Sequence, residues 1–285
     1  MNRTDIHKEA IVEPGASIAE GVIVEPYAVV KANVTLEKGV VIKSHAYLDG
    51  YTTIGEGTVV YPSASIGTKT QARKFHGEKT YVRIGKNCEI REFVTINSSF
   101  GDESEVIVGD NCLIMAYCHI AHHCTVGKNV IMSNNVALAG HISIEDNAII
   151  GGMTAIHQFS RIGTYAMVGG MSRITHDIPP YTVGAGIPFK FGGLNIIGLK
   201  RNKFPLKTRK ELSKAFKLVY RSGLRLEEAL KRIESEVEML PEIAHWVQFC
   251  RSSKRGLMCL QTNGITEDDF DQIEKEEEKE YASID

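Results

Sequence analysis

Aliphatic residues recur at every sixth position from Ile6 to Ile174. Ile6, Val12, Ile18, Val24, Val30, Leu36, Ile42, Leu48, Ile54, Val60 and Ile66 open the series, and Val108 to Ile174 completes it without a gap. Of 29 such positions only Ala72, Glu78 and Asp102 fail. A helical period of 3.6 cannot generate this pattern, and plain strand alternation would lose phase over such a length. The repeat specifies a parallel β-helix in which three hexads form one triangular coil, so that residues eighteen apart lie above one another in neighbouring coils. Small residues four places after the rung, such as Ala10, Ala16, Ala28, Ala46 and Ala64, suit tight corners. Glycines directly after it, at 55, 67, 85, 109, 127, 151 and 163, are expected where a turn needs φ > 0.

The failing rungs mark two polar excursions, about 68–81 and about 97–105, both rich in turn formers. Because the ladder resumes in phase, each is expected to replace part of a coil and project outward, where binding residues tend to sit. Pro179 and Pro180 are expected to end the ladder. Helical spacing follows in Pro205 to Arg221, Leu226 to Leu240 and Pro241 to Cys250, with Pro241 suited to a first turn. The chain thus divides into an all-β parallel β-helix over 1–190, a small α-helical domain over 191–260 and an acidic tail over 261–285. Nine acidic residues between Glu267 and Glu280 mark that tail as solvated and poorly folded.

Composition narrows the function little. The 285 residues are 43% hydrophobic with a net charge of −2, an ordinary globular balance. No apolar run has the length of a signal peptide or a membrane span, which makes the cytoplasm the default location. Nine Lys or Arg between Lys200 and Arg221 face only Glu211, favouring an anionic partner. There is no CxxC pair, and Cys88, Cys112, Cys118 and Cys124 share the small-residue phase, as apolar fillers in a reducing compartment would.

Candidate chemistry gathers between Tyr117 and Gln158, where five histidines fall in adjacent coils. Stacking places Gly140 above His122 and His141 above His123, and extends the first column to Gln158 and His176. A histidine one rung from a glycine amide can act as a general base beside an oxyanion donor. A neighbouring column reads Ala116, Asn134, Gly152 and Gly170, small enough to leave a groove along the prism. Flat prism faces offer little concavity, so the site is expected between subunits, around a threefold axis.

The hexads resemble those of left-handed β-helix proteins. With HIAHHCTVG, NNVALAGH, GGMTAIHQF and GLKRN, residues 1 to about 258 are similar to the acyl-carrier-protein-dependent UDP-N-acetylglucosamine O-acyltransferases that begin lipid A synthesis. The resemblance implies a left-handed prism and a homotrimer. It also implies transfer of a fatty acyl chain, often 3-hydroxylated and about fourteen carbons long, from acyl carrier protein to the sugar 3-hydroxyl. No cofactor, metal, nucleic acid or transmembrane segment is implied. The family's catalytic base falls on His122 and its oxyanion amide on Gly140. Its sugar-nucleotide and acyl contacts fall on Gln71, Lys74, His119, His141, His157, Gln158, Asn195 and Arg201, and its chain-length ruler on Gly170. The chain departs from the family pattern at His123, where an acidic residue is usual, and at Ala72, Ile197 and Asn202. Competing readings on the same fold are an acyltransferase using coenzyme A or an amino-sugar acceptor, and a γ-carbonic-anhydrase-like hydratase holding zinc on His119, His123 and His141.

Overall fold

The computed structural model describes residues 4–258. The acidic tail expected over 261–285 lies outside them. Strands mostly two residues long alternate with turns and stack into three parallel sheets, which are the faces of a triangular prism. Sheet I starts with Asp5–Ile6, sheet II with Ile11–Val12 and sheet III with Ser17–Ile18. The register is the one the hexads specify, with Asp5 beside Ile23, Ile11 beside Val29 and Ser17 beside Thr35. Every rung from Val24 onward that holds an aliphatic residue is buried, each contributing roughly 1.5–3 kcal/mol by leaving water. The small residues Ala28, Ala46 and Ala64, fully buried, line the inside of the corners.

Positive φ does not fall where the glycines predicted it. Among the seven glycines after a rung only Gly67 has it; the left-handed positions come two residues later, at His45, Asn87, Tyr117, His123, Asn129 and their equivalents. The glycines answer a different need. A Cβ on Gly85 would lie 2.6 Å from the backbone of Gly109, and one on Gly109 would lie 2.7 Å from Gly127, so coils approach too closely there for a side chain.

The two excursions add residues rather than replacing a coil. Tyr81 pairs with Tyr51 and with Glu105, offsets of 30 and 24 where 18 is the rule, so the loops add twelve and six residues. Both are whole hexads, which is why the phase survived. Each leaves sheet II and enters sheet III, so both emerge at the II/III corner. They brace each other, with Ser98 N donating to Thr68 O and Glu103 N to Lys79 O, both at 2.8 Å.

The prolines do not end sheet I. Thr182–Ala185 adds a further parallel strand beside Met167–Val168, and Lys190–Leu194 returns antiparallel to it. Pro179 and Pro180 sit in the preceding corner, where they remove no ladder bond. Among the described residues four helices follow: α1 (Ile196–Arg201), which periodicity is too short to reveal, α2 (Leu206–Tyr220), α3 (Leu226–Glu236) and α4 (Pro241–Arg251). Asn195 caps α1 by accepting from Gly198 N, and Pro241 starts α4. Leu212, Phe216, Leu230, Ile233, Ile243 and Trp246 form the helical core. This layer is tied to the prism by His245 Nε2, 3.1 Å from Glu145, and by buried Asp177, which accepts from Arg161 N and Ser253 Oγ.

Candidate active site

The II/III corner gathers the histidines. His119 opens the strand His119–Ile120 of sheet II, and His122 and His123 form the turn that follows. His123, His141 and Phe159 occupy the left-handed position in successive coils, at φ 56°, 61° and 67°. Their rings stack, His123 on His141 at 4.2 Å and His141 on Phe159 at 4.6 Å.

His122 lies against Gly140. A Cβ there would meet its ring Cε1 at 1.9 Å, and Nδ1 and Nε2 at 2.5 Å. The coil below is fixed through His141 N, which donates to His122 O at 3.0 Å. Among the described residues none accepts a hydrogen bond from the Gly140 amide. His122 Nδ1 faces His123 Nδ1 at 3.2 Å, and the Ser99 hydroxyl lies 3.0 Å from the same His123 atom. Two such nitrogens hold one proton between them. If His122 carries it, its Nε2 is left bare on the other side of the ring.

Burial holds all these imidazoles neutral. It lowers the pKa of His119 and His141, and lowers that of His122 with help from His141 and His119. His123 is pushed down to about 4 by burial and then by its two histidine neighbours. The thiols nearby are not nucleophiles. Cys118 and Cys124 are buried, donate to Ser133 O and Ala139 O at 3.0 Å, and are pushed up to about 11 by desolvation.

The longer loop's Gln71 and Lys74 are exposed at this same corner, as are His157 and Gln158 one coil beyond Gly140. Gly170 lies across sheet II on the I/II corner, stacked over Gly152 and Asn134 as the column predicts, with exposed Tyr117, Met153 and Met171 alongside. Asn195 and Arg201 are elsewhere. Asn195 Nδ2 donates to Tyr165 O at the III/I corner, and Arg201 ends α1, so a single chain does not bring these two to His122. The basic run is split between α1 and α2.

Three contributors escaped the sequence reading. Phe100 reaches from the shorter loop to place its edge against His122 and His123, at 4.8 and 4.7 Å. Ser99 is fully buried beside it. Thr95 Oγ1 engages His119 Nδ1 at 2.7 Å; His119 is not one of the histidines whose nitrogens gather among the described residues, which are His122, His123 and His141. A lone aromatic within NSSFGDESE was the one available signal.

Comparison with known proteins agrees with this architecture. Residues 105–140 match the model of bacterial transferase hexapeptide repeats, and residues 177–258 match that of UDP-N-acetylglucosamine O-acyltransferase, domain 2. The acyl-acyl-carrier-protein–UDP-N-acetylglucosamine O-acyltransferase of Chlamydia muridarum is 59% identical over 255 residues, 89% of this chain and 91% of that one. Its counterpart in Chlamydia caviae is 51% identical over the same length and shares. The crystal structure of LpxA, a UDP-N-acetylglucosamine acyltransferase from Bacteroides fragilis, superposes with a TM-score of 0.86 at 39% identity, covering 88% of this chain and 98% of that one. LpxA from Acinetobacter baumannii gives 0.86 at 37% identity, covering 90% and 99%. By its prism and by these relatives, the chain belongs to the acyl-acyl-carrier-protein–UDP-N-acetylglucosamine O-acyltransferase family.

Proposed function

We propose that the chain transfers a fatty acyl group from acyl carrier protein to the 3-hydroxyl of UDP-N-acetylglucosamine, the step that opens lipid A synthesis, with His122 as base and the Gly140 amide as oxyanion donor. The observation that carries the assignment of roles is the contact of His122 with Gly140, which puts an imidazole and an uncommitted amide side by side. His122 Nε2 takes the hydroxyl proton as the sugar oxygen attacks the thioester carbonyl, and the amide stabilises the oxyanion. The imidazolium then returns the proton to the departing thiolate, and no covalent enzyme intermediate forms.

Gln71, Lys74, His119, His141, His157 and Gln158 surround the acceptor in this reading, with Lys74 suited to the diphosphate. Gly170 sets the far end of the acyl groove. Asn195 and Arg201 act on a neighbouring subunit's site, because in their own chain Asn195 sits at the III/I corner and Arg201 at the end of α1, whereas His122 sits at the II/III corner. That separation supports a homotrimer with its sites between prisms, as does the exposed stripe of Tyr27, Phe93, Tyr117, Met153 and Met171 on the I/II corner. No helix among the described residues is long and apolar enough to cross a membrane, and a cytoplasmic location fits the donor.

Mass spectrometry of UDP-N-acetylglucosamine incubated with a panel of acyl carrier protein and coenzyme A donors tests the reading. Acylated sugar nucleotide is expected from the carrier-protein donors and from wild type only. Equal product from His122→Ala would overturn the role of the base, and product from coenzyme A donors alone would overturn the choice of donor.

A further inference from the structure

We propose that His122, His123 and His141 form a binding site for a zinc-type divalent cation, and that occupancy silences His122 as a base. The three residues each offer a ring nitrogen, and these lie within 4.8 Å of one another. His122 Nδ1 and His123 Nδ1 are already 3.2 Å apart. Tetrahedral zinc with bonds of about 2.0–2.1 Å separates its ligand nitrogens by about 3.3 Å. The pair therefore stands at ligand spacing before any cation arrives, and His141, whose nitrogen lies within the same 4.8 Å, joins it by tilting out of its stack between His123 and Phe159. Neutral imidazole is a common zinc ligand, and three protein ligands leave the fourth position to water.

The ring chemistry makes binding and catalysis exclusive. As a base, His122 carries its proton on Nδ1, toward His123, and presents Nε2 to the sugar. A cation on Nδ1 takes that lone pair, and the proton moves to Nε2. No proton is gained or lost, yet the atom that should accept one now donates one. His123 loses nothing, since its Nδ1 is the acceptor in the resting pair, and the Ser99 hydroxyl turns away from it. Binding itself follows from the geometry; the silencing rests on the reading of His122 as the base.

Chelator-treated protein is titrated with cobalt(II), whose visible absorption reports tetrahedral coordination, and turnover is measured separately with zinc and then excess chelator. The site predicts one cobalt per chain with tetrahedral bands in wild type. The bands should be lost in His123→Asn and in His141→Asn, substitutions the left-handed turn accepts, because Asn135 and Asn147 hold that conformation in the same prism. Zinc should abolish wild-type turnover reversibly and spare whatever turnover His123→Asn retains. Absence of bands in wild type, or equal bands in the folded variants, would overturn the site. Bands with undiminished turnover would overturn the silencing. The cobalt titration needs no substrate, so its outcome stays separate from that of the acyl-transfer assay.

Discussion

His122 fills the space where residue 140 would carry a side chain: a Cβ on Gly140 would stand 1.9 Å from the imidazole Cε1. Gly140 is not in the left-handed region, so its backbone accepts alanine. The cost of Gly140→Ala falls on the position of the His122 ring. A misplacement of about 1 Å in a catalytic group costs on the order of 10²-fold in rate. Steady-state kinetics should show that loss in kcat, while thermal melting shifts little. An unchanged kcat would mean that the ring's seat against Gly140 is irrelevant to turnover.

Burial, with the nearby His141 and His119, lowers the His122 pKa. In the proposed reaction the neutral form is the base, so activity should be retained as pH falls through the ordinary histidine range of about 6.5 and decline only below it. His123→Asp reverses this, because a carboxylate beside His122 favours the imidazolium. The acid limb of kcat/KM in metal-free protein should therefore move to higher pH in that variant. A limb that stays in place or moves down would contradict the assignment of the titrating group.

On the proposed reading, Gly170→Met narrows the acyl groove at its far end. The backbone there is not left-handed, and the new Cβ would meet only Gly152, its O at 3.1 Å and its N at 3.7 Å. Competition among carrier-protein donors of graded length should show the preference shifting to shorter chains. An identical length profile in the variant would remove Gly170 from the ruler.

His122 lies on the II/III corner and Arg201 at the end of α1, which starts from the III/I corner, so on the proposed reading defects at the two should complement across subunits. His122→Ala and Arg201→Ala, each inactive or nearly so alone, should regain activity when assembled together and purified through two tags. Mixed assemblies as inactive as their parents would place both residues in the same chain's site.

The sixfold spacing made the prism legible, because a rung can alternate with nothing else and still face inward over so many coils. It also brought His122 to Gly140 and Gly170 to Gly152, since stacking follows from counting alone. What counting could not reach was set by loops and by contact. Phe100 and Ser99 arrive from an inserted hexad whose path no periodicity encodes. The glycines after the rungs were visible, but their cause was misread: the neighbouring coil's backbone excludes a side chain, and the turn itself does not. Pro179 and Pro180 signalled a break that holds for sheets II and III, whose last strands are Arg173–Ile174 and Arg161–Ile162, while sheet I continues past it.

Both loops leave the prism and re-enter it at the same corner, and this sets what the gene can change. The strand after an insertion takes its register from the coil it pairs with, so loop length is free; sheet I shows this where Met167 pairs with Val183, sixteen rather than eighteen residues on. That edge therefore works as a socket for interchangeable cassettes. The protein can trade the chemistry overhanging His122 without rebuilding the shaft beneath it.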